Sequence, residues 1–245
     1  MSVFFKPLFF IYQLIILIPI MIVVTALTAI ATISLSYIKS KPKLKTIPPR
    51  LWSKLACYLS FISVSVKGLE NLDKDKSYIF VANHQSVFDI WLIYGWLTKP
   101  FSWIMKKELR KIPLVGAACE AAGHIFIDRS NPIEAKKSIS IAEKKLIKGN
   151  CIVIFPEGTR SHNGKVGPFK RGAFSIATDI NLPIVPITII GAFERMSRKD
   201  FIVNPGKMKM IIHQPIESPT NLNEQEVRKL ANEVREIVIS GFSQN

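Results

Sequence analysis

The chain has 245 residues, of which 48% are hydrophobic and 21% are charged. This composition excludes a disordered or low-complexity protein, and the length suits one sizeable domain with an appendage. Lysine and arginine outnumber aspartate and glutamate by 33 to 18, a net charge of +15 that favours anionic partners: nucleic acid, anionic lipid or phosphorylated small molecules. The three cysteines form no CxxC pair, which argues against a disulfide framework and favours a reducing compartment.

The first predicted element is an apolar stretch at residues 7–38, which carries no charged side chain. As a helix it would measure about 48 Å, whereas a hydrocarbon core of about 30 Å needs about 20 residues. Three arrangements stay open: a tilted span, a re-entrant hairpin bent at Pro19, or a helix lying partly in the interface. A buried core helix, or a signal peptide cleaved near Ala29-Ile30-Ala31, fits the length less well. We interpret the stretch as a retained membrane helix or helical hairpin.

A basic segment without acidic residues follows the apolar stretch. Its cations are Lys39, Lys41, Lys43, Lys45, Arg50 and Lys54. Positive charge beside a membrane anchor is typical of the cytoplasmic, anionic face of a membrane. We therefore assign residues 1–48 to a membrane anchor with its basic flank. Nucleic-acid binding would also account for the charge, but no zinc-finger, basic-zipper or RNA-recognition pattern occurs, so we predict no nucleic-acid partner.

Residues 49–245 read as short apolar strands that alternate with amphipathic helices. Strands are predicted at 64–66, 78–82, 102–105, 124–127, 152–155, 184–190 and 209–213, and helices at 51–61, 87–97, 132–148, 172–179 and 224–240. Such alternation predicts an α/β fold with a mainly parallel sheet flanked by helices.

Polar clusters follow four of the predicted strands. They are Asn83-His84, Lys106, Asp128-Arg129 and Glu157-Gly158-Thr159-Arg160. In open α/β sheets, ligands bind beyond the carboxyl ends of the strands. The four clusters therefore predict one pocket that is rich in cations and contains a histidine and carboxylates.

The first cluster places His84 five residues before Asp89, a spacing that cannot share one helix face. The two side chains can meet if His84 lies in the loop and Asp89 in the first helical turn. Asp89 would then orient the imidazole as a general base for a substrate hydroxyl, with no covalent enzyme intermediate. An equally open interpretation makes Asp89 a capping-box residue with Ser86 as N-cap, and His84 a simple turn residue.

The loop at residues 155–161 suits anion binding, because Arg160 presents a planar fork to phosphate. A charged surface turn is the alternative for this loop. Lys106 could equally begin a solvated helix, and Asp128 and Arg129 could form a surface ion pair. The remaining histidines (His124, His162 and His213) show no metal-ligand spacing, so we predict no metal.

Together, these segments resemble the four ordered motifs of the glycerolipid acyltransferases, closest to the 1-acyl-sn-glycerol-3-phosphate acyltransferases. The matching motifs are Asn83-His84-(x4)-Asp89, Gly123–Arg129, Phe155–Ser161 and Val185–Ile189. The resemblance implies that residues 49–245 form an acyltransferase domain with His84 as the base and Asp89 as its orienting partner. It further implies that the substrate-binding residues are Lys106, Arg129, Glu157, Gly158, Thr159 and Arg160.

The activity implied by the resemblance is transfer of a fatty acyl group to the 2-hydroxyl of lysophosphatidic acid, giving phosphatidic acid. The donor would be acyl-CoA or acyl carrier protein as co-substrate, with no other cofactor. The partners expected are therefore lysophosphatidic acid, the donor and an anionic membrane. Two alternatives stay open: the same chemistry on glycerol 3-phosphate or another lysophospholipid, and a non-catalytic membrane lipid-binding protein.

Overall fold

The computed structural model describes residues 5–38, 42–128 and 150–244. Its strands are β1 (Ile62–Lys67), β2 (Ile79–Ala82), β3 (Phe101–Lys106), β4 (Ile125–Ile127), β5 (Cys151–Ile154), β6 (Ile184–Ile190) and β7 (Gly206–Ile212). Its α-helices are α1 (Phe5–Tyr12), α2 (Ile18–Tyr37), α3 (Pro42–Lys45), α4 (Ile47–Leu59), α5 (Phe88–Trp96), α6 (Val115–Ala121), α7 (Gly172–Asp179), α8 (Ala192–Arg195) and α9 (Glu224–Ser240). The helix predicted at 132–148 and Arg129 lie outside the described residues.

The seven strands form one sheet in the order β1-β7-β6-β2-β5-β3-β4. Neighbours are parallel except β6 and β7, so the predicted α/β fold with a mainly parallel sheet is confirmed. Central strand β2 is buried on both faces, which explains its continuous apolar run. Phe80 packs into the core on one face of the sheet, while Ile79 and Val81 pack into the core on the other.

The residues at the start of α9 and α4 explain where these two helices begin. Asn223 accepts hydrogen bonds from the backbone N–H groups of Gln225 and Glu226, and the Glu226 side chain bonds back to the Asn223 backbone N–H. This capping box fixes the start of α9. Helix α4 has Pro48 and Pro49 in its first turn, where a missing N–H costs nothing. The predicted domain boundary between residues 48 and 49 falls within that turn.

The apolar N-terminal stretch forms one continuous helical run rather than a hairpin. A π-helical segment, Gln13–Leu17, joins α1 to α2, and the Ile18 N–H bonds to the Gln13 carbonyl. The π-turn lies directly before Pro19, which has no N–H to continue the regular ladder. By length and composition, the 31 residues Pro7–Tyr37 could cross a membrane, with a mean hydropathy of 2.8.

One face of this helix packs against the domain along most of its length. The Gln13 amide donates to the Phe201 carbonyl at 2.7 Å and accepts from the Val203 N–H at 2.9 Å. Further along, the Trp52 indole N–H donates to Thr25 Oγ1 at 2.9 Å. The buried residues of the run recur at helical spacing: Phe9, Gln13, Leu17, Ala29 and Thr32. The opposite face exposes large apolar side chains, including Leu8, Ile15, Ile22, Leu27 and Ile30.

Candidate active site

The loop between β2 and α5 is held in place by buried polar side chains. Asn83, fully buried, donates to the Ile189 carbonyl at 2.9 Å and accepts from the Ile189 N–H at 2.7 Å. The Ser86 hydroxyl donates to the Met196 carbonyl at 2.7 Å. These bonds tie the loop to β6 and to the segment after α8. His84, which lies between Asn83 and Ser86, therefore starts from a fixed backbone.

His84 and Asp89 are in direct contact, as one of the two interpretations of their spacing requires. His84 Nδ1 lies 2.8 Å from Asp89 Oδ2, and the Asp89 side chain has no exposure to solvent. The same oxygen accepts backbone N–H groups from Gln85 at 2.6 Å and Ser86 at 2.8 Å. Asp89 therefore holds both the imidazole and the backbone of the loop that precedes α5. The N-cap of α5 is Val87, with no side-chain cap, so the alternative capping box with Ser86 as N-cap is not formed.

The imidazole of His84 is also fixed by aromatic stacking. Its ring lies 4.0 Å from the Phe155 ring, with an angle of 7° between the planes, and Phe155 in turn stacks on Trp103. When Nδ1 of the neutral ring carries the proton and donates a hydrogen bond to Asp89, Nε2 has a lone pair and can accept a proton. No hydrogen bond to Nε2 occurs within the described residues. An imidazole oriented in this way can act as a general base.

A cavity of about 630 Å³ opens beside His84. Of the predicted site residues, it brings together His84, Lys106, Gly158, Thr159 and Arg160, which come from the carboxyl ends of three neighbouring strands. Away from these polar groups the lining is mainly apolar. It includes Trp52, Val87, Ile90, Leu109, Ile112 and Val115. The cavity therefore joins a base and cations to a wall suited to an alkyl chain.

Sequence reasoning missed two contributors to this cavity. Helix α2 supplies Thr25, Thr28, Ala29 and Thr32 to the wall, and Arg198 lies at the polar end. The apolar stretch signals a membrane and gives no sign of a second role in a cavity. Arg198 follows α8 rather than a strand, so the strand-end rule could not find it.

Glu157 is not one of the described residues that line the cavity. One carboxylate oxygen accepts the His84 N–H at 2.8 Å and the other accepts the Gly167 N–H at 2.9 Å. Burial raises the pKa of the Glu157 carboxyl, and these two hydrogen bonds oppose that shift. In this geometry Glu157 links the His84 loop to the Gly167 segment.

Asp128 is not among the described residues that line this cavity, whereas His124 is. Asp128 pairs with Lys107 at 3.4 Å, with the Lys107 side chain largely exposed. The other histidines differ in setting, and the described residues contain no cluster of three or more His, Cys, Asp or Glu side chains with metal-binding geometry. His124 is buried and accepts the Trp103 N–H through Nδ1 at 3.2 Å, whereas His162 is exposed.

Comparison with known proteins identifies the family of the chain. A family model described as Acyltransferase matches residues 63–190. The chain is 36% identical over 169 residues to a Brassica napus chloroplastic 1-acyl-sn-glycerol-3-phosphate acyltransferase, covering 68% of this chain and 48% of that protein. It is 35% identical over 189 residues to the alpha form from Mus musculus, covering 76% and 66%. The chain thus spans about half the length of the plant chloroplast relative.

A solved structure gives the same answer for the fold. The crystal structure of PlsC from Thermotoga maritima, a 1-acyl-sn-glycerophosphate acyltransferase, matches with a TM-score of 0.71 and 32% identity. The match covers 83% of this chain and 82% of that one. Because the family model covers more than half of the residues and the fold agrees, the chain belongs to the acyltransferase family.

Proposed function

We propose that this protein transfers a fatty acyl group from acyl-CoA or acyl carrier protein to the 2-hydroxyl of 1-acyl-sn-glycerol 3-phosphate, giving phosphatidic acid. The observation that carries the proposal is the 2.8 Å contact between His84 Nδ1 and Asp89 Oδ2 at the mouth of a cavity shared with Lys106 and Arg160. The names of the relatives from Brassica napus and Mus musculus support the choice of acceptor.

The reaction we propose runs by direct attack. His84 Nε2 takes the proton of the acceptor hydroxyl as that oxygen attacks the thioester carbonyl. The C–S bond then breaks, and the imidazolium returns the proton to the leaving thiolate. Asp89 stabilises the imidazolium without itself taking the proton. A thioester is already activated, so the protein's contribution is to bring base, hydroxyl and carbonyl together.

The cavity's thiol is poorly suited to an acyl-enzyme route. Cys119 lines the cavity, and burial raises the pKa of its thiol to about 11. The reactive form of cysteine is the thiolate, which such a pKa makes scarce at neutral pH. This supports direct transfer from the donor to the acceptor.

The charge distribution of the cavity fits a phosphorylated lipid. Its cations are Lys106, Arg160 and Arg198, and no aspartate or glutamate occurs among its described lining residues. Charge-assisted hydrogen bonds to phosphate contribute about 1.5–3 kcal/mol each. The acceptor's phosphate would lie against these cations, with an acyl chain along the apolar wall.

An acceptor comparison tests the proposed function. With an acyl-CoA donor and separately with acyl carrier protein, we expect thiol release with 1-acyl-sn-glycerol 3-phosphate and little with glycerol 3-phosphate or lysophosphatidylcholine. Faster release with either of those acceptors would reassign the substrate. Absence of release with all three would favour a non-catalytic lipid-binding protein. Ping-pong kinetics would contradict direct attack.

We further propose that the apolar helix lies in one leaflet and does not cross the membrane. Contacts with the domain extend from Gln13 to Thr32, about 28 Å of helix, so a span would draw the domain into the hydrocarbon. Outside the helix, the exposed large apolar side chains of the described chain lie on elements next to it. They are Leu44, Ile47, Leu51, Tyr58, Phe61, Leu109, Ile112, Leu114 and Phe201.

In this proposal, these side chains and the exposed face of the helix contact the lipid together. Cations flanking the helix, including Lys45 and Lys54, would meet anionic headgroups at its edge. We place this face on the cytoplasmic leaflet, because positive charge beside an apolar anchor favours that side.

Protease protection of an N-terminal epitope tag distinguishes a flat helix from a span. In sealed vesicles with the catalytic domain outside, we expect added protease to remove the tag, because both helix ends lie on one side. A matched protein with a known single span, tagged inside the vesicle, provides the protected control. A tag that survives until detergent is added would show a transmembrane helix.

A further inference from the structure

Arg198 lies at the polar end of the cavity, beside the loop that carries Arg160. Its Nη1 donates to Thr159 Oγ1 at 3.0 Å and contacts His162 Nε2 at 3.0 Å. We propose, on the basis of the proposed function, that Arg198 is a third phosphate-binding cation. In this role it would select a phosphomonoester acceptor over a phosphodiester one.

The backbone around Arg198 is fixed to the catalytic loop. Two residues earlier, the Met196 carbonyl accepts the Ser86 hydroxyl, and Ser86 belongs to the loop that carries His84. The Met196 N–H bonds to the Ala192 carbonyl at 3.2 Å. The guanidinium therefore extends from an anchored segment toward the same cavity that His84 lines.

The guanidinium retains donors for a ligand. Arginine has five N–H donors, and the two contacts above both use Nη1. Nε and Nη2 have no hydrogen bond to any described residue. A planar fork with free donors is suited to bidentate contact with phosphate oxygens.

The charge of the cavity explains why a third cation would affect the choice of acceptor. Lys106, Arg160 and Arg198 come from three separate segments, and the described lining contains no acidic side chain to neutralise them. A phosphomonoester carries about −1.5 to −2 charges at pH 7. A phosphodiester carries a single negative charge. In a choline lipid, the positively charged choline group would also be repelled by the three cations of the cavity. Three cations that line one cavity therefore favour the phosphomonoester.

A structural role for Arg198 predicts a different result. If Arg198 simply holds Thr159 in place, its removal would disturb the catalytic loop and lower kcat with any acceptor. If it binds phosphate, its removal would raise the KM for phosphomonoester acceptors and leave the KM for the acyl donor unchanged. The split between KM and kcat separates the two roles.

The experiment compares Arg198→Gln and Arg198→Lys with Lys199→Gln, which removes the same charge from the exposed neighbouring residue. For Arg198→Gln we expect the KM for 1-acyl-sn-glycerol 3-phosphate to rise about tenfold or more, with a smaller rise for Arg198→Lys. The KM of Lys199→Gln should equal that of the wild type. Turnover of lysophosphatidylcholine relative to 1-acyl-sn-glycerol 3-phosphate should rise in Arg198→Gln.

A second measurement does not depend on turnover. Glycerol 3-phosphate should raise the Tm of the wild type and of Lys199→Gln more than that of Arg198→Gln. Equal acceptor KM values in Arg198→Gln and Lys199→Gln would overturn the proposal, as would a fall in kcat at unchanged KM. The wild type is assayed first: its failure to use 1-acyl-sn-glycerol 3-phosphate would refute the proposed function itself, before any variant is compared.

Discussion

Replacing His84 with Gln is expected to reduce kcat by about 10²- to 10⁴-fold while the protein stays folded and membrane-bound. Glutamine occupies similar space and can still contact Asp89, but it cannot accept and return a proton. The measurement is the initial rate of thiol release at saturating donor and acceptor. Because the ring has little exposure (15%), circular dichroism and Tm should accompany the kinetics.

His213→Gln is the matched control for that variant. His213 is half-buried, contacts Thr188 Oγ1 through Nε2 at 2.8 Å and lies outside the lining of the cavity. The same exchange there should leave kcat near the wild-type value. Residual activity of His84→Gln within a few fold of the wild type would remove His84 from the reaction.

Asp89→Asn is expected to lower kcat by about 10²-fold or more without a comparable loss of stability. Asparagine can still accept the backbone N–H groups of Gln85 and Ser86, since its oxygen can occupy the Oδ2 position. It lacks the negative charge that stabilises the imidazolium formed when His84 takes the proton. The rate should therefore fall more than the free energy of unfolding.

A comparison of single and double variants tests whether His84 and Asp89 act as one unit. If Asp89 acts through His84, Asp89→Asn combined with His84→Gln should be about as slow as His84→Gln alone. Asp179→Asn, an exposed acid at the end of α7, serves as the control for the substitution itself. Rate losses that multiply in the double variant would show that the two residues act independently.

The sheet could be predicted from the sequence because its strands are short, apolar and bounded by polar turns. Each of the seven predicted strands has a counterpart, and β6 has the predicted bounds of 184–190. The antiparallel direction of β7 could not be predicted, since it depends on how the chain returns after α8. Helix α6 was also missed, because seven residues rich in alanine and glycine carry little periodicity and gain stability from packing on α2.

The candidate site could be predicted where residues follow strand ends. His84, Lys106 and Arg160 meet at one cavity because β2, β3 and β5 are close neighbours whose carboxyl ends share an edge. The position of Glu157 depends on a tertiary contact: its second oxygen accepts the N–H of Gly167, ten residues away in a loop without regular structure. A contact of that kind produces no periodic pattern in the sequence, so it could not be predicted.

Because α2 forms part of the cavity wall, deleting the N-terminal residues would change the cavity. A truncated chain starting at residue 49 would lose Thr25, Thr28, Ala29 and Thr32 from that wall and the Thr25 oxygen that accepts the Trp52 N–H. Solubilising the protein by deletion would therefore open this cavity to water, even with His84 and Asp89 intact. The N-terminal helix forms part of the cavity wall and cannot be treated as a removable tether.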